Sequence, residues 1–261
     1  MMNRIDRLFK EKRGEILSVY MTAGYPRLGD TVPLLKALQM HGADMVEIGI
    51  PFSDPLADGA VIQESSQRAL RNGMKLDLLF KQLEGIRPAI QIPLLLMGYL
   101  NPILKMGMER FLERCRDAGI DGVIIPDLPP AEYESRFREL FGTYGIHNAL
   151  LITPHTDEKR IRRMAELSGG FLYLVADAST TGVRNTLGDH QLEYFQRIQT
   201  MDLPVPGLIG FGISNRQTFL TACKYARGAI IGSAFIRAIA EPGEHSLEQK
   251  VHNFIKEIRG E

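Results

Sequence analysis

The sequence alternates between short apolar runs and amphipathic helical patterns, and this alternation repeats eight times over 261 residues. Eight parallel strands, each followed by a helix, close into a barrel of about 250 residues. The count favours a closed barrel over an open doubly wound sheet. We therefore predict a single-domain (β/α)8 TIM barrel over residues 1–261. The predicted strands are 15–21, 44–50, 92–97, 122–125, 148–152, 170–175, 207–209 and 228–231.

Helical patterns occupy the intervals between the predicted strands. The first follows Asp30, a candidate N-cap, includes Met40 in its apolar stripe and ends at Gly42. An extra short amphipathic helix precedes the first strand, within the charged residues 1–10. The other predicted helices are 60–71, 77–86, 108–118, 131–141, 157–167, 189–200, 215–224 and 245–258.

Composition and charge argue against several classes of partner. Lys plus Arg equals Asp plus Glu at 31 each, so no basic excess favours a nucleic acid or an anionic membrane. No apolar stretch approaches the roughly 20 residues that a membrane span needs, and residues 1–10 lack the apolar core of a secretory signal. Because Cys115 and Cys223 are the only cysteines, we expect a soluble protein of the reducing cytoplasm.

Common motifs for metals, nucleotides and serine nucleophiles are missing from the sequence. The six histidines form no HxH or HExxH group, so we expect no metal site. Neither a Walker A pattern nor a strand–GxGxxG–helix fingerprint is present, so no nucleotide cofactor is indicated. Without a Gly-x-Ser-x-Gly elbow, acid–base chemistry by carboxylates is the better interpretation.

The second predicted strand carries a carboxylate and ends in a loop with two more. Glu47 lies inside the apolar run, where an unpaired charge costs several kcal/mol. Asp54 and Asp58 follow in a loop restricted by prolines, near the carboxyl end of the strand where such barrels place their sites. Two structural alternatives stay open: Glu47 pairs with a buried Arg or Lys, and the aspartates cap the helix that begins near Ala60.

Three later segments extend the candidate site. Residues 207–214 and 230–234 end predicted strands seven and eight in glycines that lead toward helices, an arrangement that suits a phosphate group. Tyr173 lies in the sixth strand, from which its hydroxyl could reach a substrate. The long polar loop 176–185 has the properties of a closing lid.

The motif "VEIGIPFSDPLADG" closely resembles the signature of the tryptophan synthase alpha subunit family. The resemblance continues in "LLMGYLNPI", "GVIIPDLPP", "STTGVR", "GLIGFGIS" and "IIGSAFIR", in order along nearly the whole chain. It implies a TIM barrel that cleaves indole-3-glycerol phosphate to indole and glyceraldehyde 3-phosphate. It also implies no cofactor in this chain and transfer of indole to a pyridoxal-phosphate beta subunit in an alpha2beta2 complex.

The resemblance also assigns roles to individual residues. Glu47 matches the general acid and base, Asp58 the carboxylate that steadies the indole nitrogen, and Tyr173 a tyrosine beside the substrate. The implied phosphate and substrate contacts are Thr181, Gly182, Gly212, Gly232 and Ser233, and the implied indole pocket is lined by Tyr20, Met97 and Phe211. The implied beta-subunit surface contains Asp54, Pro55, Asn101, Pro102, Asp127 and Pro129.

The sequence departs from the family pattern in two places: residues 177–182 read DASTTG, and Met97 stands where leucine is common. Rival phosphate-binding barrels are indole-glycerol-phosphate synthase, which would need a catalytic lysine on an early strand, and ribulose-phosphate epimerase, which would need metal ligands at strand ends. A barrel that only binds and activates a partner enzyme would have lost Glu47 or Asp58. Neither rival pattern nor that loss is visible.

Overall fold

The computed structural model describes residues 2–55, 57–176, 188–240 and 245–260. Its strands are β1 (Ile16–Thr22), β2 (Met45–Gly49), β3 (Leu94–Met97), β4 (Gly122–Ile124), β5 (His147–Asn148), β6 (Leu150–Ile152), β7 (Leu172–Val175), β8 (Gly207–Gly210) and β9 (Gly228–Ile231). Within these ranges all pairings are parallel, in the order β5-β4-β3-β2-β1-β9-β8-β7-β6.

The sheet closes on itself through the fifth predicted strand. β5 and β6 are its two halves, separated by Ala149. β5 pairs with β4 on one side, and β6 pairs with β7 on the other. The backbone N–H of Ala149 also donates to the carbonyl of Val123, at 3.0 Å. Because both edges of the sheet belong to one stretch of chain, the fold is a closed eight-stranded barrel, which confirms the predicted TIM fold.

Helices surround the barrel. They are α1 (Arg4–Glu11), α2 (Thr31–Met40), α3 (Ala60–Arg71), α4 (Leu76–Leu83), α5 (Leu100–Met106), α6 (Met108–Asp117), α7 (Pro130–Glu132), α8 (Arg138–Tyr144), α9 (Glu158–Leu167), α10 (Asp189–Gln199), α11 (Arg216–Tyr225), α12 (Ser233–Ala240) and α13 (Leu247–Arg259). A 3-10 turn (Leu28–Asp30) precedes α2, and a π-helical turn (Tyr133–Phe137) joins α7 to α8. Across the described ranges, no helix has the length and apolar character to cross a membrane.

Two helices were not predicted from the sequence. α5 contains Pro102, which we interpreted as part of a loop, but the proline lies in the first turn, where no hydrogen bond to its nitrogen is needed. α12 follows β9 after a single residue, Gly232. Its apolar residues therefore run on from those of the strand, and no polar break separates the two patterns.

Two details of α2 differ from the prediction. Asp30 does occupy the N-cap position, but its side chain makes no capping bond. It accepts instead from the backbone N–H and the guanidinium of Arg27, both at 3.1 Å. Met40 was predicted in the apolar stripe and is 61% exposed. It is the last residue of α2, where the helix leaves the barrel surface.

The predicted amino-terminal helix is confirmed as α1, and it closes the amino end of the barrel. Ile5 is fully buried. A Cβ placed on Gly122 or Gly170 would lie 2.9 or 2.6 Å from the Ile5 side chain. These glycines therefore leave the space that Ile5 fills, and the fit depends on the lack of a side chain at both positions.

Ion pairs fasten the same end. The buried carboxylate of Asp121 accepts from Arg4 at 3.0 Å, from Arg87 at 2.5 Å and from the backbone N–H of Leu94 at 2.9 Å. Nearby, the carboxylate of Asp44 pairs with Lys12 and Arg259, both at 2.7 Å. Because each carboxylate has several donors, burial of its charge is compensated.

Replacing Ile5 with alanine should lower the free energy of unfolding by about 2–5 kcal/mol, because it opens a cavity at the closed end of the barrel. Met40→Ala, at the exposed end of α2, is the control and should change it by less than about 0.5 kcal/mol. Urea unfolding followed by circular dichroism measures both. Equal losses in the two variants would contradict the closing role of Ile5.

Candidate active site

The strand register brings Tyr20 and Glu47 side by side inside the barrel. Tyr20 of β1 pairs with Glu47 of β2, which pairs in turn with Leu95 of β3. Side chains alternate between the two faces of a strand, so Ser18 lies on the same inner face as Tyr20. β2 is buried along its whole length. The residues of β2 on the outer face are apolar, and its one polar residue, Glu47, lies on the inner face.

Glu47 is fully buried, and only one of its two oxygens is hydrogen-bonded in the described part of the chain. The hydroxyl of Ser18 donates to Oε1 at 3.1 Å, while Oε2 has no partner. Removal from water raises the pKa of Glu47 to about 8, and the Ser18 bond partly opposes this. The alternative of a buried Arg or Lys partner is wrong, since no such ion pair reaches Glu47 within the described ranges.

Asp58 lies at the end of the loop between β2 and α3 and is nearly buried. Burial raises its pKa to about 6, opposed by a hydrogen bond from the Tyr99 hydroxyl. That hydroxyl also accepts from the backbone N–H of Ala57 at 3.0 Å. The capping alternative for the aspartates is wrong, because Gly59 is the N-cap of α3 and no side chain caps it.

Two tyrosines complete the interior around Glu47. Tyr20 and Tyr173 are buried, and burial together with the charges of Glu47 and Asp58 raises the pKa of both phenols. Glycines make room for them: a Cβ on Gly49 would overlap the Tyr20 hydroxyl, and one on Gly210 would overlap that of Tyr173. Because their pKa values are raised, both phenols stay neutral hydrogen-bond donors.

The remaining predicted pocket residues also lie at the carboxyl end of the barrel. Met97, the last residue of β3, is buried and pairs with Gly49. Phe211 directly follows β8, and its ring meets that of Tyr173 edge-on, with centroids 6.1 Å apart. A sulfur at the end of β3 and an aromatic ring beside Tyr173 are groups that suit a flat apolar ring.

The predicted phosphate residues end β8 and β9. Gly212 has a φ of +76°, and a Cβ built on it would have no atom within 4 Å, so its backbone faces open space. Gly232 immediately precedes α12, and Ser233 is the first residue of that helix. Thr181 and Gly182, with the rest of the proposed lid from residue 177 onward, lie outside the described residues.

The predicted partner surface is formed by three neighbouring loops at the same end. The backbone N–H of Leu100 donates to the Asp127 carboxylate at 2.8 Å, which ties the loops after β3 and β4 together. The Phe52 and Tyr99 rings stack at 5.2 Å and join the loop after β2. Asp54, Asn101, Asp127 and Pro129 are exposed and Pro102 is half-buried. Pro55 was predicted at this surface but is buried, and its carbonyl accepts from the side chain of Gln63 on α3.

Two residues of the site were missed from the sequence. Ser18 is a polar residue in an apolar strand, two positions before Tyr20, and this spacing was a signal that it shares the inner face. Tyr99 lies in a motif that we used for the resemblance, directly after a strand end, but we assigned it no role. Among the described residues, no group of three or more His, Cys, Asp or Glu side chains is arranged to hold a metal ion.

A TIM barrel with two perturbed carboxyls and neutral phenols inside its carboxyl end defines an enzyme of the acid–base type. The comparisons with known proteins narrow that class. The family model described as "Tryptophan synthase alpha chain" matches residues 6–260, and the chain belongs to this family. Members are lyase subunits of tryptophan synthase, which cleave indole-3-glycerol phosphate in tryptophan biosynthesis.

Individual relatives are similar to this chain over nearly its whole length. The tryptophan synthase alpha chain of Flavobacterium johnsoniae is 50% identical over 258 residues, which cover 99% of this chain and all of that one. That of Parabacteroides distasonis is 52% identical over 246 residues, covering 93% and 96%. The Legionella pneumophila subunit alpha structure superposes with a TM-score of 0.89 at 32% identity, covering 100% and 98%. A chain of the Pyrococcus furiosus tryptophan synthase complex gives 0.85 at 33%, covering 94% and 97%.

The buried carboxyl of Glu47 should make stability depend on pH. Because its pKa in the fold is above its ordinary value of 4.5, the stability present below that value is lost as the pH rises toward about 8. Glu47→Gln should therefore gain stability over the parent chain across this window, on the order of a few kcal/mol by pH 8. Thermal unfolding at a series of pH values measures it.

The control for this measurement is Glu64→Gln, which changes an exposed glutamate of α3. Its stability relative to the parent should hardly vary with pH. A Glu47→Gln difference that is equally flat from pH 5 to pH 8 would contradict the raised pKa of the buried carboxyl.

Proposed function

We propose that this chain cleaves indole-3-glycerol phosphate into indole and glyceraldehyde 3-phosphate with Glu47 as the general acid and base. The observation that carries the assignment is Oε2 of Glu47, a buried carboxyl oxygen without a partner among the described residues. An unsatisfied buried oxygen costs stability if it serves only the fold. Its position therefore supports a role toward a bound substrate.

The reaction needs one acid and one base at neighbouring atoms. A proton added to carbon 3 of the indole ring turns the ring into a cationic electron sink. The bond from that carbon to the glycerol chain then breaks, and its electron pair restores the aromatic ring. The adjacent side-chain hydroxyl loses its proton and becomes the aldehyde. Glu47 would give the first proton from its neutral form and, once ionised, accept the second.

The raised pKa of Glu47 suits this sequence of transfers. Near neutral pH a carboxyl with a pKa of about 8 is mostly protonated, so the acid needed for the first step is already in place. Asp58, with a pKa of about 6, is mostly ionised at the same pH. Its negative charge would stabilise the indole nitrogen as that atom becomes positive. The different environments of two carboxyls thus divide the roles.

The remaining contacts follow the shape of the substrate. Tyr20, Met97 and Phe211 would enclose the indole ring, and Tyr173 would donate a hydrogen bond from its neutral phenol. The phosphate would bind to backbone N–H groups of Gly212, Gly232 and Ser233, where the first turn of α12 adds favourable partial charge. We assign Thr181 and Gly182 to the closing loop over the substrate.

We further propose a beta-subunit partner in an alpha2beta2 complex, with pyridoxal phosphate in the partner and no cofactor in this chain. Solved relatives include tryptophan synthase complexes, which supports the partner. The docking surface would be the exposed residues Asp54, Asn101, Asp127 and Pro129 with Pro102, beside the open end of the barrel from which indole leaves. Free Cys115 and Cys223 fit a reducing compartment, which supports a cytoplasmic location.

Glu47→Gln should lower kcat for indole release at least about 100-fold with little change in KM, because it removes the transferable proton and keeps the shape. Asp58→Asn should also lower kcat rather than raise KM, since its charge matters most in the transition state. Glu64→Gln serves as the matched control and should keep the parent rate. Full activity in Glu47→Gln would refute the acid and base role, and a pure rise in KM would reassign Asp58 to substrate binding.

Adding a cognate beta subunit should raise the rate of indole-glycerol phosphate cleavage. Asn101→Arg should weaken this stimulation, because it places a bulky charge on the proposed docking surface. Lys10→Glu, on α1 at the opposite end of the barrel, should leave it intact. Co-elution on size exclusion and the rate with increasing beta subunit measure the effect. No co-elution at micromolar concentrations and no rate change would contradict the partner.

A further inference from the structure

Ser18 lies beneath Glu47 on the inner wall of the barrel. It is wholly buried in β1 and pairs in register with Met45 of β2 and Ile230 of β9. Glu47 is two positions beyond Met45 on the same inner face. The Ser18 hydroxyl on β1 thus reaches diagonally to the Glu47 carboxyl on the neighbouring strand β2, at 3.1 Å. Each of the two strands is paired with a neighbour on both sides, so this distance is set by the sheet and not by a loop.

The hydrogen bond makes the two carboxyl oxygens of Glu47 unequal. Oε1 accepts from Ser18, and Oε2 has no partner in the described part of the chain. A neutral carboxyl carries its proton on one oxygen, and the other acts as the carbonyl that accepts hydrogen bonds. When the Ser18 hydroxyl donates to Oε1, the proton of the neutral acid lies on Oε2, the oxygen left free for a substrate.

We propose that Ser18 is a positioning residue for the acid: its hydroxyl holds Oε1 so that Glu47 presents its proton from Oε2 toward the substrate. The inference rests on the proposed acid and base role of Glu47. Without the hydroxyl, the carboxyl can rotate and carry its proton on the oxygen that faces the wall, so fewer molecules have the proton in the reactive position. General acid catalysis depends on this geometry.

The same bond also influences the ionised form. A donor to a carboxylate stabilises its negative charge, so losing the Ser18 hydroxyl should raise the pKa of Glu47 further above its ordinary value. The other titratable groups facing this interior are Tyr20 from β1, Tyr173 from β7, Tyr99 from the loop after β3, and Asp58. The three phenols stay neutral because burial raises their pKa, and Asp58 titrates on the acid side of neutrality.

The pH dependence of kcat/KM separates these groups. In the parent chain the alkaline limb should fall near pH 8, where free Glu47 loses its proton. Ser18→Ala should move this limb to higher pH and lower kcat about 10-fold or more, while KM changes less than about twofold. Ser66→Ala, at another buried serine in α3, is the matched control and should keep the parent profile.

A second pair of variants isolates the hydroxyl from the shape of the side chain. Ser18→Thr and Ser18→Val have nearly the same volume and both suit a strand, but only threonine keeps a hydroxyl. Ser18→Thr should retain kcat within about threefold of the parent and the parent alkaline limb, whereas Ser18→Val should match Ser18→Ala. Circular dichroism and thermal unfolding confirm that each variant is folded.

Two results would overturn the inference. One is a Ser18→Ala profile that superimposes on the parent with kcat within about twofold. The other is equal kcat and equal alkaline limbs for Ser18→Thr and Ser18→Val. A parent chain that releases no indole from indole-glycerol phosphate would instead refute the proposed function, so the two failures are distinguishable.

Discussion

The structure depends on keeping a carboxyl group inside a closed barrel with, across the described ranges, no cation paired to it. Glu47 is surrounded by the neutral hydroxyl of Ser18, by buried phenols and by the backbone of neighbouring strands. A cation would satisfy the charge and lower the pKa, which would remove the proton at neutral pH. The barrel instead excludes water and leaves the carboxyl neutral. Burying Glu47 without a cation lowers the stability of the fold, and the paired strands around it hold the carboxyl in place despite this cost.

Glycine positions make the interior possible. Gly49 and Gly210 each leave the volume that a tyrosine hydroxyl fills beside Glu47, and Gly122 and Gly170 leave the volume that Ile5 fills at the other end. Backbone conformation does not require glycine at three of these positions, since Gly49, Gly122 and Gly210 have ordinary φ values. Side chains therefore fill the space that strand and loop glycines leave, around the candidate site at one end of the barrel and around Ile5 at the other.

The parts that were predictable from the sequence are those with a strong local signal. Eight alternations predicted the barrel, and a glutamate within an apolar run predicted the central residue of the candidate site. Interpretation failed where the deciding contact is made far along the chain. The fifth strand is interrupted at Ala149, whose backbone N–H donates to the carbonyl of Val123 on another strand. The error at Asp30 is local instead, because its side chain bonds to Arg27, three positions earlier, and so does not cap α2. Ser18 was missed because serine is tolerated in many strands, and its proposed role comes from a partner 29 positions away.

The closure of the amino end by α1 constrains the order in which the contacts of this helix can form during synthesis. α1 is synthesised before its partners: the carbonyls of Phe9 and Lys12 receive the guanidinium of Arg227, 218 and 215 positions later. The carbonyl of Glu15, a few residues beyond the helix, receives the guanidinium of Arg259, 244 positions later. On the ribosome, where synthesis proceeds from the amino terminus, α1 therefore emerges before the residues that complete its contacts, which are spread from Asp121 to Arg259. A nascent chain stalled before β9 can already form the Arg4–Asp121 pair of α1, but it lacks the arginines that bond the carbonyls of Phe9, Lys12 and Glu15.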